Sequence, residues 1–241
     1  MKKSKTNENQ LEQKKVKEAR DVLWRKGILT WKLEPFQKEL YDFFHNCTGR
    51  TVVWSASRRL GKSHTLLVTA IELCIKNPGC IVEYVGPEKG MMRDIVTQVI
   101  PGIIEDAPPD VMPTFKANLV RYVFPNGSEI QLAGTDNKNY FKLRGGASTL
   151  CIVDEAGFCN DLSIVVNSIL LPTTLTTGGK IILSSTPPES MDHEFNYFVE
   201  KAEKENQHII KTIVDAAEGS KHLAKPRITH ALIDEIAKER R

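Results

Sequence analysis

The sequence predicts an α/β fold with a mostly parallel central sheet flanked by helices, on three observations. Short, β-branched, nearly continuous apolar runs recur along the chain, the pattern of strands buried on both faces. Helical stretches separate most of them, as the crossovers between parallel strands require. One pair of runs, 119–124 and 128–133, is joined instead by Pro125-Asn126-Gly127, a tight-turn signal that predicts an antiparallel hairpin.

The elements follow in order. Residues 1–10 are polar and predicted disordered, and 11–26 read as a charged helix with Val16, Ala19, Val22 and Leu23 at helical spacing. Pro35, at a first-turn position, opens a helix over 35–46 that ends near Gly49. Strands are expected at 51–55, 80–85, 149–153, 180–184 and 208–214, and helices at 62–76, 91–106 and 192–205. A last helical stretch runs from Thr229 to Arg241. The chain divides into a basic helical extension, 1–30, and one domain, 31–241.

A chain of 241 residues, 41% of them hydrophobic, buries enough surface to need no disulfide or structural metal, which excludes general disorder. The five cysteines form no C-x-x-C pair and are expected as reduced thiols of a cytosolic protein. The six histidines show no ligand spacing, so no zinc site is expected. No apolar run approaches the roughly 18 residues of a membrane span, and no hydrophobic segment follows the basic start. Residues 1–26 hold nine Lys/Arg against four Asp/Glu, leaving 24 against 26 elsewhere. The net charge of +3 is therefore an N-terminal excess, read as a solvated segment, with contact to nucleic-acid phosphates the alternative.

The most specific segment is Ala56-Ser57-Arg58-Arg59-Leu60-Gly61-Lys62-Ser63. It matches G-x-x-x-x-G-K-[ST] except that Ala56 stands at the first glycine. A strand precedes it and a helix follows, so backbone N–H groups and the helix N-terminus face an anion. Lys62 would reach the β- and γ-phosphates of a nucleotide and the Ser63 hydroxyl would ligate Mg²⁺. Arg58 and Arg59 add guanidinium groups that can stabilise a γ-phosphate in transfer.

Leu150-Cys151-Ile152-Val153-Asp154-Glu155 is an apolar run ending in two carboxylates, where doubly wound sheets place ligands. Asp154 would share the Mg²⁺ with Ser63, and Glu155 would take a proton from, or orient, an attacking water. A further buried run ends in Ser184-Ser185-Thr186-Pro187. Ser185 or Thr186 either contacts the γ-phosphate or forms an ordinary turn before proline. Gln37, at the start of the 35–46 helix, carries an amide that matches the adenine N6/N7 edge, or lies on a plain amphipathic helix.

Together these segments resemble the ATPase domain of the large terminase subunit of tailed bacteriophages, the DNA-packaging motor. The resemblance covers about residues 30–190 and rests on Gln37, the Arg-bearing SRRLGKS loop, LCIVDEA and SSTP. It implies an additional-strand (RecA-like) P-loop fold, with ATP as substrate and Mg²⁺ as cofactor. Ser63 and Asp154 would hold the metal. Gln37, Ser57, Arg58, Gly61, Lys62, Ser63, His64, Asp154, Ser185 and Thr186 would bind nucleotide. Glu155, Arg58, Arg59 and Arg144 would be catalytic, Arg144 (in Leu143-Arg144-Gly145) by reaching a neighbouring subunit's ATP. The implied partners are double-stranded DNA, the portal protein, the small terminase subunit and further copies in a ring, a pentamer by resemblance, although the isolated domain could be a monomer. No membrane is involved, and the implied location is the infected host's cytoplasm, transiently at the procapsid portal. The family's C-terminal nuclease domain has no counterpart here, so the chain reads as an isolated or truncated ATPase piece without nuclease activity.

Two other readings share part of this pattern. A two-domain RecA-type helicase shares these motifs but needs a second such domain, for which 241 residues leave no room. A nucleotide-gated binding module without turnover would not need a base at Glu155.

Overall fold

The apolar runs form one sheet whose strand ends gather the polar motifs on a single edge. The computed structural model describes residues 2–143, 145–188, 190–223 and 228–239. Helix α1 (Lys2–Arg25) leads through a 3-10 turn (Thr30–Lys32) to α2 (Pro35–Asn46). Then come β1 (Thr51–Ala56), α3 (Lys62–Lys76), β2 (Ile81–Gly86) and α4 (Lys89–Ile104). Strands β3 (Thr114–Lys116), β4 (Arg121–Val123) and β5 (Glu129–Gly134) follow, then β6 (Leu150–Asp154). After short helices α5 (Leu162–Ile164) and α6 (Leu171–Thr174), joined by a π-helical turn (Val165–Leu170), comes β7 (Lys180–Ser185). The chain continues through α7 (Glu194–Lys204), β8 (His208–Lys211), α8 (Ile213–Ser220) and α9 (His230–Glu239).

The sheet order is β3-β4-β5-β2-β6-β7-β1-β8. Only β3–β4 and β4–β5 pair antiparallel, and the β4–β5 hairpin turns at the predicted Pro125-Asn126-Gly127. Strand β7 lies between β1, which feeds the Lys62 loop, and β6, which ends in Asp154. That is the additional-strand arrangement. The period of two splits the core between the faces. Trp54, Tyr84, Ile152 and Ile182 pack on the side of α2, α3 and α4, whereas Val53, Val153 and Leu183 pack with residues of the 162–170 segment and α7.

Two expectations are corrected and one segment is added. Residues 2–10, expected disordered, continue α1, because nothing from Lys2 to Arg25 is Gly or Pro and Lys, Glu and Gln propagate a helix; the left-handed Gly27 follows its end. The strand expected over 208–214 stops at Lys211, because Thr212 and Asp215 cap each other's backbone and start α8. Residues 162–174 carry helical turns to which no predicted element corresponds, although Leu162, Val165, Val166, Ile169 and Leu170 recur at helical spacing and are all buried. The end of α1 is also tied to the domain. Trp24 is buried and its Nε1 donates to Asp106 at 3.2 Å, and Arg25 pairs with Asp110 at 2.7 Å.

Ile152 is fully buried at the centre of the sheet, two residues before Asp154. Ile152→Ala should cost about 2–5 kcal/mol in urea unfolding and Ile152→Val about 0.5–1.5 kcal/mol, because each methylene removed leaves a cavity that the flanking strands cannot close.

Candidate nucleotide site

Strand β1 ends at Ala56 and the loop 57–61 turns back over the N-terminus of α3. Two left-handed residues make that turn, Arg59 (φ 65°) and Gly61 (φ 74°). The amide of Ser57 donates to the Lys211 carbonyl at 3.0 Å, fixing the loop's first residue to β8. Gly61 caps α3, its carbonyl accepting from the Thr65 amide at 3.0 Å and the Thr65 hydroxyl at 3.1 Å. The first amides of α3 thus stand at the loop's mouth with the positive end of the helix dipole behind them. Lys62 is buried, and its Nζ donates to the carbonyls of Ala56 (3.1 Å) and Ser57 (3.4 Å). Arg58 and Arg59 are exposed on the loop and both line the cavity beside it.

Two strands over, β6 delivers the acids. Asp154 is fully buried. Its Oδ2 accepts from the Ser63 hydroxyl at 2.6 Å and from the Tyr84 hydroxyl at 2.7 Å, and its Oδ1 accepts from the Glu155 amide at 3.0 Å. Glu155 leaves the strand with φ 51°, a left-handed conformation that costs a non-glycine residue about 1–3 kcal/mol and clusters at functional sites. Its carboxylate comes to 3.7 Å from Lys62 Nζ. Burial pushes the Glu155 carboxyl up from the ordinary glutamate value; Lys62 opposes this, Asp154 adds to it, and the backbone of Thr186 opposes it.

The Ser185 segment braces the turn that follows. Ser185 Oγ accepts from the Gly157 amide at 3.0 Å, and a Cβ on Gly157 would lie 2.8 Å from that oxygen and 3.0 Å from the Thr186 carbonyl. Gly157 therefore has no room for a side chain. Gln37 is buried, and its amide is already engaged: Oε1 accepts from the Glu34 amide at 2.9 Å while Nε2 donates to the Leu60 carbonyl at 3.2 Å. It lines the cavity as a strut between α2 and the loop. His64 Nε2 lies 3.2 Å from the Lys32 carbonyl, at the same wall. Arg144 lies outside the described residues; Leu143 beside it is buried and Gly145 is left-handed at φ 89°.

Gln37, Arg58, Arg59, Gly61, Lys62, Ser63, His64 and Glu155 border one cavity of about 950 Å³, the upper end of the roughly 300–1,000 Å³ of ligand pockets, whereas Ser57, Asp154, Ser185 and Thr186 do not line it. Lys32, Glu34, Pro87, Glu88, Val99 and Phe158 complete its walls and were not foreseen. They come from separate elements and share no motif, although residues 87 and 88 follow the C-terminal end of β2, where such sheets bind ligands. Also unforeseen is His208, whose Nε2 lies 2.8 Å from Ser55 Oγ and whose Nδ1 lies 3.2 Å from Glu203, tying β8 to β1 just before the loop. The donor set fits Mg²⁺: a hydroxyl and a carboxylate, both hard oxygens, with the buried Ser184 Oγ, Asp154's neighbour in register, lacking a partner among the described residues.

A parallel sheet with β7 between the loop strand and the acid strand, and a G-K-S loop at the strand ends, defines a RecA-like P-loop nucleotide-binding domain. The chain belongs to the family described as terminase large subunit, T4likevirus-type, N-terminal, which matches residues 53–241. By that description it corresponds to the N-terminal part of a phage large terminase subunit. Among solved structures, the fold is similar to the Thermus phage P74-26 large terminase ATPase domain, with 20% identity and a TM-score of 0.54, covering 69% of this chain and 74% of that one. The bacteriophage HK97 large terminase matches with 15% identity and a TM-score of 0.64, covering 86% of this chain and 47% of that one. The large terminase of a thermophilic bacteriophage in complex with ADP matches with 13% identity and a TM-score of 0.59, covering 75% of this chain and 45% of that one. This chain thus spans about half the length of those two terminases. Comparison with functionally curated proteins gave no match.

The Gln37 strut yields a test. Gln37→Leu keeps a similar volume but leaves the Leu60 carbonyl and the Glu34 amide without their partner. It should cost about 1–3 kcal/mol of unfolding free energy and weaken binding of a fluorescent ATP analogue, because the loop loses its backing.

Proposed function

We propose that this chain hydrolyses ATP and couples that hydrolysis to the movement of double-stranded viral DNA into a procapsid. The observation that carries the reading is the convergence at the loop's mouth: Lys62 3.7 Å from Glu155, with Ser63 bound to Asp154 beside them. An ammonium, a carboxylate of raised pKa and a serine hydroxyl backed by a second carboxylate are the groups that Mg-ATP hydrolysis uses. The ADP-bound terminase of similar fold supports nucleotide as the ligand.

In this reading the β- and γ-phosphates take the place of the Ala56 and Ser57 carbonyls as partners of Lys62. Ser63 and Asp154 would hold Mg²⁺, which when bound neutralises charge on the phosphate oxygens. Glu155, released from Lys62, orients a water and accepts its proton. Arg58 and Arg59 stabilise charge on the γ-phosphoryl group within the subunit, and Arg144 does so for a neighbour. Ser185 and Thr186, in contact with the turn after Glu155, relay the loss of the γ-phosphate into β7. Gln37 and His64 bound the base side of the cavity. Residues 31–241 form the ATPase unit and 1–30 a basic extension. The working assembly is a ring, a pentamer by resemblance, on the portal protein with the small terminase subunit, in the cytoplasm of the infected host.

Glu155→Gln keeps size and removes basicity. It should bind Mg-ATP within about twofold of the parent yet lose roughly 10²–10⁴ in steady-state hydrolysis. Hydrolysis should also fall as pH drops through the raised Glu155 value, because the base must be deprotonated to act. Its acid limb should therefore lie above the ordinary glutamate range, and the residual rate of Glu155→Gln should lack that limb. An unaltered rate in the variant would move the base elsewhere.

A further inference from the structure

We propose that Tyr84 is a positioning residue of the metal–nucleotide site: its hydroxyl locks the Asp154 carboxylate in the orientation that turns the Ser63 oxygen toward the cation. The proposal rests on the reading of Ser63 and Asp154 as the metal-holding pair.

Ser63 has a single hydroxyl proton and gives it to Asp154 Oδ2 at 2.6 Å. Both lone pairs of Ser63 Oγ then point away from Asp154, which is what a hydroxyl needs to ligate a metal while remaining protonated. That arrangement holds only while Asp154 offers the same oxygen in the same place. A carboxylate with one fixed contact can turn about its terminal torsion, where the barriers are broad and low. Asp154 has that freedom removed from both ends, by the Glu155 amide on Oδ1 and by the Tyr84 hydroxyl, at 2.7 Å, on the Oδ2 that Ser63 uses.

Tyr84 is built for this rather than for packing. It sits on β2, adjacent to β6, and is fully buried in the core beside Trp54 and Ile152. A phenylalanine would fill the same space, and burying a hydroxyl is costly unless it is hydrogen-bonded. Asp154 supplies that bond. Neither Tyr84 nor Asp154 lines the cavity, whereas Ser63 does, and the Tyr84 hydroxyl interacts with both Asp154 and Ser63, so it acts on the metal through that pair and not by touching nucleotide. No sequence motif marks it.

Tyr84→Phe removes the hydroxyl and keeps every ring carbon, and a cooperative melt verifies that it folds. The probe is Mn²⁺, followed by electron paramagnetic resonance in the presence of saturating ADP. Half-saturation should need about 10- to 150-fold more Mn²⁺ than in the parent, the loss expected of one hydrogen bond to a charged group. ADP affinity measured in EDTA should stay within about twofold, a split that a merely structural role would not produce. A second readout is the double variant with Ser63→Ala: its loss in Mn²⁺ affinity should be smaller than the product of the two single losses, since both act through Asp154. Unchanged Mn²⁺ half-saturation in Tyr84→Phe, while Asp154→Ala abolishes binding, overturns the role of Tyr84 alone. If Asp154→Ala leaves nucleotide-dependent Mn²⁺ binding intact, the metal-site reading falls and the proposal with it. Equal losses in EDTA and in Mn²⁺ would make Tyr84 a packing residue and also overturn the proposal.

Discussion

A buried carboxylate with several lone pairs to satisfy dictates the arrangement of this domain's working edge. Asp154 is fully buried, and its three hydrogen bonds come from three chain segments: Ser63 at the start of α3, Tyr84 on β2, and the turn that begins at Glu155. Leaving any of those lone pairs in an apolar interior unbonded would cost about as much as a tenth or more of a typical domain's stability. The sheet order makes the bonds possible. Placing β7 between β1 and β6 separates the phosphate loop from the acids by one strand, so that Ser63 spans the gap. The sheet's apolar interior and its polar edge are therefore one design, with Ile152 and Ile182 filling the face on which Asp154 emerges.

Around that fixed point the site stores backbone strain and unspent charge. Arg59 and Glu155 both hold left-handed conformations, one turning the loop and the other swinging a carboxylate off its strand toward Lys62. Lys62 meanwhile donates to the loop's own carbonyls, weaker partners for an ammonium than a polyphosphate. Ligand binding in the proposed function exchanges those bonds and frees Glu155 in the same movement. The Ser185–Gly157 contact places the end of β7 directly against that turn, so any displacement of Glu155 is felt by a second strand.

Much of this was legible in the sequence because it is local. Strands β1, β2, β6 and β7 announce themselves as apolar runs, and the loop, the acids and the hairpin turn each occupy a few consecutive residues. What was not legible depends on contacts between distant segments. Gln37 reads either as a match to the adenine edge of a base or as part of a plain amphipathic helix, and neither reading announces its contact with the Leu60 carbonyl, 23 residues on. Tyr84 reads as one more β-strand aromatic until β2 is laid beside β6 and its hydroxyl meets Asp154, 70 residues on. Nothing near His208 in the sequence announces its contact with Ser55, which lies 153 residues earlier. Strand β8 was over-extended because the apolar Ile213 and Val214 continue its composition, and the Thr212–Asp215 cap outweighs that continuity.

The proposed function requires that the 57–63 loop bind the phosphates of a nucleotide, with Lys62 as their principal cation. Calorimetric titration of the intact chain with ATPγS and Mg²⁺, repeated on Lys62→Ala, tests it most directly. The parent should bind one nucleotide per chain, and the variant should bind roughly 10- to 100-fold more weakly, the loss of a charge-assisted contact. An affinity in Lys62→Ala equal to the parent's would show that the loop does not hold the phosphates.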